Sequence, residues 1–403
     1  MHDDSTIGAR LRTLRQWRRM TLAQLAGQAG LSTAYLSMVE RGLRTLDRRS
    51  HISALAAALR VSESEIVGGP HLSDDPERIG AHTAIPPIRV ALQTNTLGEA
   101  AAESARPMAE LQAVLADVDV ASGLCDYVRV GELLPGLLDE LHYHAVTGTG
   151  ETRRQALAAL IEACHVASTR TKDLGYADLS YLAATRADEA ARALGDPVAI
   201  GKGAYLRIQA MPRAGSWDRA HTAALQAADA VRPYATTPEG VCVLGMLTLG
   251  AALAAAASLR VDEAADLLDE ASELAARVAD DPVGNWGSFS AANVGGWRVA
   301  LAVEVGEGDR VLDLVAGIDR QRYGRRRSRH ACLLADVGRG LAQSRTTRHQ
   351  AVGWLREAEA MAPARIRNLP AVRDTVAVLL EQSRVAAGGR ELRGLASRMG
   401  LPH

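Results

Sequence analysis

The sequence predicts an all-α protein: a small helix-turn-helix head followed by a long solenoid of stacked helical hairpins. Three observations carry this. The stretch Thr21 to Gly42, TLAQLAGQAGLSTAYLSMVERG, has the caps and apolar spacing of two short helices around a tight turn. From about residue 90 onward alanine and leucine dominate, aromatics make up only 3% of the chain, and no strand-like alternation persists beyond four residues. Within that region, similar helix-opening segments recur at nearly constant spacing.

Taking the head first, Thr21 stands as an N-cap with Gln24 three residues on, the pattern of a capping box. Leu22, Leu25 and Ala26 give the first helix its apolar stripe, and Gly30 supplies the backbone freedom of the turn. Ser32 caps the second helix, Leu36 and Val39 face inward, and Gly42 ends the run. Thr33, Ala34, Ser37 and Met38 are left on the outer face. A helix cradled this way, with its N-terminal side chains free, fits the major groove of double-stranded DNA. Charge agrees. Residues 1–67 hold ten arginines against six carboxylates, a net charge of +4 in a chain whose total is −1. Positive charge gathered on a small domain is the footprint of a phosphate-binding module.

The segments IGARLRTLR, TLAQLA, LSTAYLSMVERG and LAAALRVSESEI, spanning about Ile7 to Val67, resemble the phage-repressor-like helix-turn-helix family named for the xenobiotic response element (XRE). The resemblance implies a bundle of five short helices over residues 1–67, with Ser62 and Glu65 forming a second capping box for the last. It also implies an ion pair between Arg15 and Glu40 that fixes the angle of the recognition helix. In the family the positions of Thr33, Ala34, Ser37 and Met38 reach base edges. Thr21, Ser32, Tyr35, Arg41, Arg44 and Arg48 are then expected at phosphates or the minor groove. Two departures matter: Leu22 replaces a common glutamine, and Met38 a commonly polar or basic residue. None of Thr33, Ala34 and Met38 makes bidentate base pairs, so readout would rest on thymine methyls, hydroxyls and DNA shape.

Residues 68–88, GGPHLSDDPERIGAHTAIPPI, are rich in Gly, Pro, Asp and Ser and read as a linker or an ordered crossover segment. Residues 89–403 form the solenoid. GSWDRA, SLRVDEA, GEGDRV and TRHQA close at Ala220, Ala264, Val311 and Ala351, which are 44, 47 and 40 residues apart, and each opens a helix. About five units are expected, each burying its apolar face on the next. The array resembles tetratricopeptide repeats. Together, head and array resemble actinobacterial-type regulators and, more distantly, Gram-positive peptide-pheromone receptors, with the array as an effector-sensing and dimerising domain. Val241 to Leu259 is 19 residues without charge, long enough to span a bilayer, but its alanines and glycines suit a helix buried among helices, so no membrane is expected.

Within NWGSFSAANVGGWRVALAVEVG, Trp286, Phe289, Asn293 and Trp297 fall on one face if the segment is a continuous helix, with Asn285 and Arg298 beside them. That set is the candidate site for a small-molecule or peptide effector with an apolar body; core packing of the aromatics is the competing reading. The run RQRYGRRRSRH (320–330) fits a solvated turn, with anion binding or further DNA contact as alternatives. Cys125, Cys164, Cys242 and Cys332 lie far apart and read as reduced thiols of a cytoplasmic protein; no metal or cofactor motif appears. No catalytic motif appears either, so a non-enzymatic transcriptional regulator acting as a homodimer is expected. A protein-docking scaffold, or a regulator controlled by an antagonist protein, is the alternative.

Overall fold

The computed structural model describes residues 6–70, 76–211, 217–383 and 389–401, and these are helical throughout, with no strand. The head holds α1 (Ile7–Trp17), α2 (Leu22–Gln28), α3 (Thr33–Glu40), α4 (Arg49–Leu59) and α5 (Glu63–Val67). Its local signals act as read. The Thr21 hydroxyl accepts from the Gln24 amide while the Thr21 amide donates to Gln24 Oε1, and Ser32 Oγ accepts from the Tyr35 amide. Gly30 and Gly42 take the left-handed backbone conformation that ends α2 and α3. Leu11, Leu25, Leu36, Leu46, Leu55, Leu59 and Ile66 fill one small core. Gly8 is where α1 crosses α3: a Cβ there would sit 2.1 Å from the Val39 carbonyl oxygen.

Of the two readings of residues 68–88, the described part follows the ordered crossover. Residues 71–75 lie outside the described residues, but α6 (Pro76–Thr83) and α7 (Ile85–Thr94) follow, burying Ala81, Ile85, Ile88 and Leu92. Pro86 and Pro87 sit in the first turn of α7, where a missing N–H costs nothing. Proline, taken as a breaker, was marking a helix start.

The solenoid proper runs through α8 (Met108–Gly123), α9 (Tyr127–Thr147), α10 (Gly150–Asp173), α11 (Ala177–Leu194), α12 (Pro197–Ala210), α13 (Trp217–Val231), α14 (Pro238–Ala257) and α15 (Val261–Ala275). It continues with α16 (Ala291–Val305), α17 (Val311–Ala316), α18 (Arg327–Ala342), α19 (Arg348–Met361), α20 (Pro363–Asn368), α21 (Pro370–Ser383) and α22 (Arg390–Arg398). Pairs α8/α9 to α18/α19 stack as hairpins, and the recurring segments open the second helix of the pair: α13, α15, α17 and α19. Gly215 and Ser216 of the first such segment lie outside the described residues. Helix α14 is long and apolar enough to cross a bilayer, yet 94% of its apolar window is buried in the fold. Its hydrophobicity all round matches neighbours all round.

The array also closes on itself. Arg326, just before α18, donates to Asp119 of α8 at 2.7 Å, and Arg365 of α20 pairs with Asp173 of α10 at 2.6 Å. First and last hairpins therefore meet, and the even-numbered helices enclose a central space.

Candidate nucleic-acid interface and effector cavity

On the head, Ser32, Thr33 and Ala34 are exposed at the start of α3, with Ser37 and Met38 half-buried behind them. Thr21, Arg41 and Arg44 are exposed around that helix. Arg15 forks onto Glu40 through two bonds of 2.6 and 2.7 Å and also donates to the Met20 carbonyl, tying α1 to the end of α3. Two residues expected at phosphates are committed elsewhere. The Tyr35 hydroxyl donates to the Thr45 carbonyl at 3.0 Å and lies 3.2 Å from His51 Nδ1, with its pKa pushed up by burial and by Asp47 and Asp374. The Arg48 guanidinium lies against Gly306 of the solenoid. Sequence reasoning placed both by their family positions and had no view of the surface behind the head.

That surface holds residues 43–50 firmly. The Leu46 amide donates to Asp374 Oδ2 at 2.8 Å, Gln382 donates to the Leu43 carbonyl, and Arg339 and Gln343 donate to Asp47. Helix α4 has no side-chain cap of its own. Glu304, at the end of α16, supplies it: its carboxylate accepts from the Arg49 and Ser50 amides and from the Arg49 guanidinium. A carboxylate at a helix N-terminus meets unpaired amides and the positive end of the dipole. Elsewhere on the contact, Trp217 Nε1 donates to Glu63 at 3.0 Å. Burial raises both Glu63 and Asp374 to about 7, despite these hydrogen bonds.

The enclosed space is a cavity of about 920 Å³ walled by the inner helices α8, α10, α12, α14, α16 and α18. Its volume suits a drug-sized molecule. Arg49 of the head reaches its wall. On α16, Asn293, Gly296, Trp297 and Ala300 present one face to it. Opposite, Glu162 of α10 accepts from Lys202 of α12 at 2.5 Å and stands 3.8 Å from His165. Burial would raise its pKa, but the neighbouring His165 ring and the Lys202 ammonium outweigh that and hold it at about 2. Trp286 is boxed by this group, donating to Glu162 with Tyr205 edge-on at 5.5 Å and the Lys202 ammonium over its ring.

The six residues expected at the effector site therefore divide. Residues 286–288 form a short 3₁₀ turn and α16 begins only after the Ser290 cap, so the six share no continuous helix. Asn285, Trp286, Asn293 and Trp297 line the cavity nonetheless. The Asn285 amide is spent on the Ala279 and Phe289 carbonyls, which shapes the turn. Phe289 faces away, fully buried against Gly245 of α14, where a Cβ would come within 2.0 Å of its ring. Arg298 points to α15 and pairs with Asp269 at 2.6 Å. Glu162, His165 and Lys202 were missed. Two signals pointed to them: the i, i+3 spacing of the first two, and the fact that Lys202 is one of only two lysines in the chain.

Residues 6–67 match the family model described as a helix-turn-helix domain. The HTH-type transcriptional regulator RghRB of Bacillus subtilis is 38% identical over 76 residues, 19% of this chain and 55% of that protein. The immunity repressor protein of Bacillus phage phi105 is 41% identical over 63 residues, 16% of this chain and 43% of the phage protein. The B. subtilis repressor RghR is 39% identical over 56 residues, 14% of this chain and 42% of RghR. The chain thus spans about half the length of the curated relatives it matches. Its N-terminal head is an XRE-type, phage-repressor-like helix-turn-helix domain.

Proposed function

We propose that this protein is a DNA-binding transcriptional regulator whose head reads an operator while a small effector in the cavity sets the position of the head. One observation carries the reading. Helix α16 presents Asn293 and Trp297 to the cavity and, at its far end, caps α4 of the head through Glu304. Anything that shifts α16 acts on the α4 N-terminus, and from there on the Thr45–Tyr35 bond to α3. Thr33, Ala34, Ser37 and Met38 are the base-reading side chains, with Thr21, Ser32, Arg41 and Arg44 at the backbone. The protein works as a homodimer in the cytoplasm, because one small head covers too little DNA for high specificity and two heads on paired half-sites overcome that. The size of the cavity favours a small molecule over a protein antagonist.

Selection of binding fragments from a random duplex library by the full chain, followed by a salt series, tests this. We expect a bound half-site motif and an affinity that falls steeply with salt, with Arg44→Ala lowering the salt slope by about one. A full chain that enriches no sequence and ignores duplex DNA at low salt would end the proposal.

A further inference from the structure

The charges in the cavity wall do not balance, and the imbalance has an address. Each wall carboxylate is held by a cation of the chain: Asp119 by Arg326, Asp173 by Arg365, Asp336 by Arg339, and Glu162 and Glu239 both by Lys202. The other wall cations are held in turn, Arg49 by Glu304, Arg170 by Asp173 and Arg325 by Asp119, and Lys172 acts on the Asp173 carboxylate beside it. Arg329 is the exception. It is half-buried in the wall and, among the described residues, its guanidinium meets no carboxylate. It bonds only neutral groups, the Tyr205 hydroxyl and, at 3.4 Å, the Gly287 carbonyl. A partly desolvated guanidinium without an anion is an unfilled electrostatic site.

Two further groups on the same cavity wall are unspent. Asn293 is 3% exposed, yet its amide makes one side-chain bond, a 3.8 Å contact to Met246 Sδ, which is a weak acceptor. Trp297, one turn further along α16, is half-buried with no ring or cation stacked on it among the described residues, whereas Trp286 is already boxed. A flat ring, an amide and a lone guanidinium around one cavity specify the occupant's chemistry.

We propose that the effector is a small aromatic anion, its ring on Trp297, its charged group on Arg329, and a polar atom on the Asn293 amide. This rests on the effector reading of the cavity and narrows it. It also gives the arginine run at 320–330 a divided role. Arg326 closes the ring of hairpins and Arg329 awaits a ligand.

The test uses two fluorescent probes on the full chain: 8-anilinonaphthalene-1-sulfonate, an aromatic anion, and N-phenyl-1-naphthylamine, the same rings without the sulfonate. The anion should bind one saturable site per chain, about tenfold or more tighter than the neutral probe, the worth of one charge-assisted hydrogen bond. Arg329→Gln should remove about that factor for the anion and leave the neutral probe unchanged, while Arg329→Lys keeps most of it. Trp297→Ala should weaken both. Variants are compared at matched unfolding midpoints, and Arg329→Met, which also removes the charge, stands in if the glutamine variant does not fold. Displacement of the bound anion by 1-naphthoate or by 1-naphthyl phosphate would sort carboxylate from phosphate effectors, and displacement by neither would overturn the proposal. Anion binding within twofold of wild type in Arg329→Gln would overturn it too. If the neutral probe binds as tightly as the anion and responds to Trp297→Ala, the cavity remains an effector site but the anion is rejected. If neither probe responds to Trp297→Ala, the effector reading fails and takes this inference with it.

Discussion

Helices α3 and α16 open with the same device, a serine whose Oγ accepts the amide of the third helical residue: Ser32 from Tyr35 at 3.1 Å, Ser290 from Asn293 at 3.2 Å. One then points its free face outward and the other points it into an enclosed cavity. The difference lies in what surrounds them. Helix α3 is held by α1 and α2, both within its own small head, whereas α16 packs on α14, α15 and α18 and faces helices from α8 onward. Short-range sequence can specify the first arrangement completely. The second exists only once a long array has curled round and closed.

The sharpest way to break the comparison is to remove the plug behind α16. Phe289→Ala empties a fully buried ring site against Gly245 and should cost about 4 kcal/mol of unfolding free energy. Arg298→Ala, next to Trp297 but turned toward α15 and half-buried against the exposed Asp269, should cost less than about 1 kcal/mol. Denaturant unfolding of the two variants measures both, and equal costs would mean that the division of the six aromatic-segment residues is drawn in the wrong place.

Next in size is the joint between the two regions. Glu304→Ala strips the α4 N-terminus of its cap and leaves the Arg49 guanidinium unpaired at the head–solenoid contact. A loss of about 3 kcal/mol is expected, with the head beginning to unfold ahead of the solenoid. A single unchanged transition in the variant would show that head and solenoid are not coupled through this carboxylate.

These two sites mark where sequence reasoning succeeded and where it stopped. The head was legible because its information is local: Thr21 with Gln24, Ser32 with Tyr35, and Gly30 between them lie within a few residues of one another. The hairpins were legible from helix-opening segments and alanine-rich faces. The cavity was not, because Asp119, Glu162, Trp297 and Arg329 come from four helices up to 210 residues apart and only ring closure brings them together. Trp286 and Asn293 both line the cavity although the helix assumed to join them is interrupted by a 3₁₀ turn and a new cap. Arg48 and Tyr35 were misread for the converse reason. Family position speaks to the DNA side of a head and says nothing of what its other side leans on.

The joint should also respond to pH. Burial raises Asp374 and Glu63 from the ordinary carboxylate range of about 4 to about 7. The folded, docked state therefore holds protons that the unfolded chain releases. Their contribution is complete below about pH 4, declines as pH rises, and is gone above about 7. Half-buried His51 and buried His142, whose pKa values desolvation lowers, push the other way on acidification. The informative quantity is thus the stability of the wild type minus that of the Asp374→Asn, Glu63→Gln double variant, in which the histidine response cancels. That difference should fall by about 5 kcal/mol from pH 5 to pH 8, roughly half from each carboxyl. A flat difference would remove the two carboxyls from the account of docking.

The smallest effect probes the outward-facing side. Thr21 is exposed, and its hydroxyl accepts the Gln24 amide at 3.2 Å to close the capping box of α2. Thr21→Ala should cost about 1 kcal/mol of stability, the ordinary worth of an N-cap. Thr21→Asp keeps an acceptor at the same place and adds a charge that the α2 N-terminus favours, so its stability should match the wild type. On the DNA the ranking reverses. A carboxylate at a position that faces phosphate repels it, so Thr21→Asp should lose operator binding almost entirely while Thr21→Ala weakens it only slightly. Paired thermal melts and shift assays on the selected operator separate the two outcomes. If Thr21→Asp binds operator as well as the wild type, α2 does not abut the DNA backbone and the head must dock on the duplex by another edge.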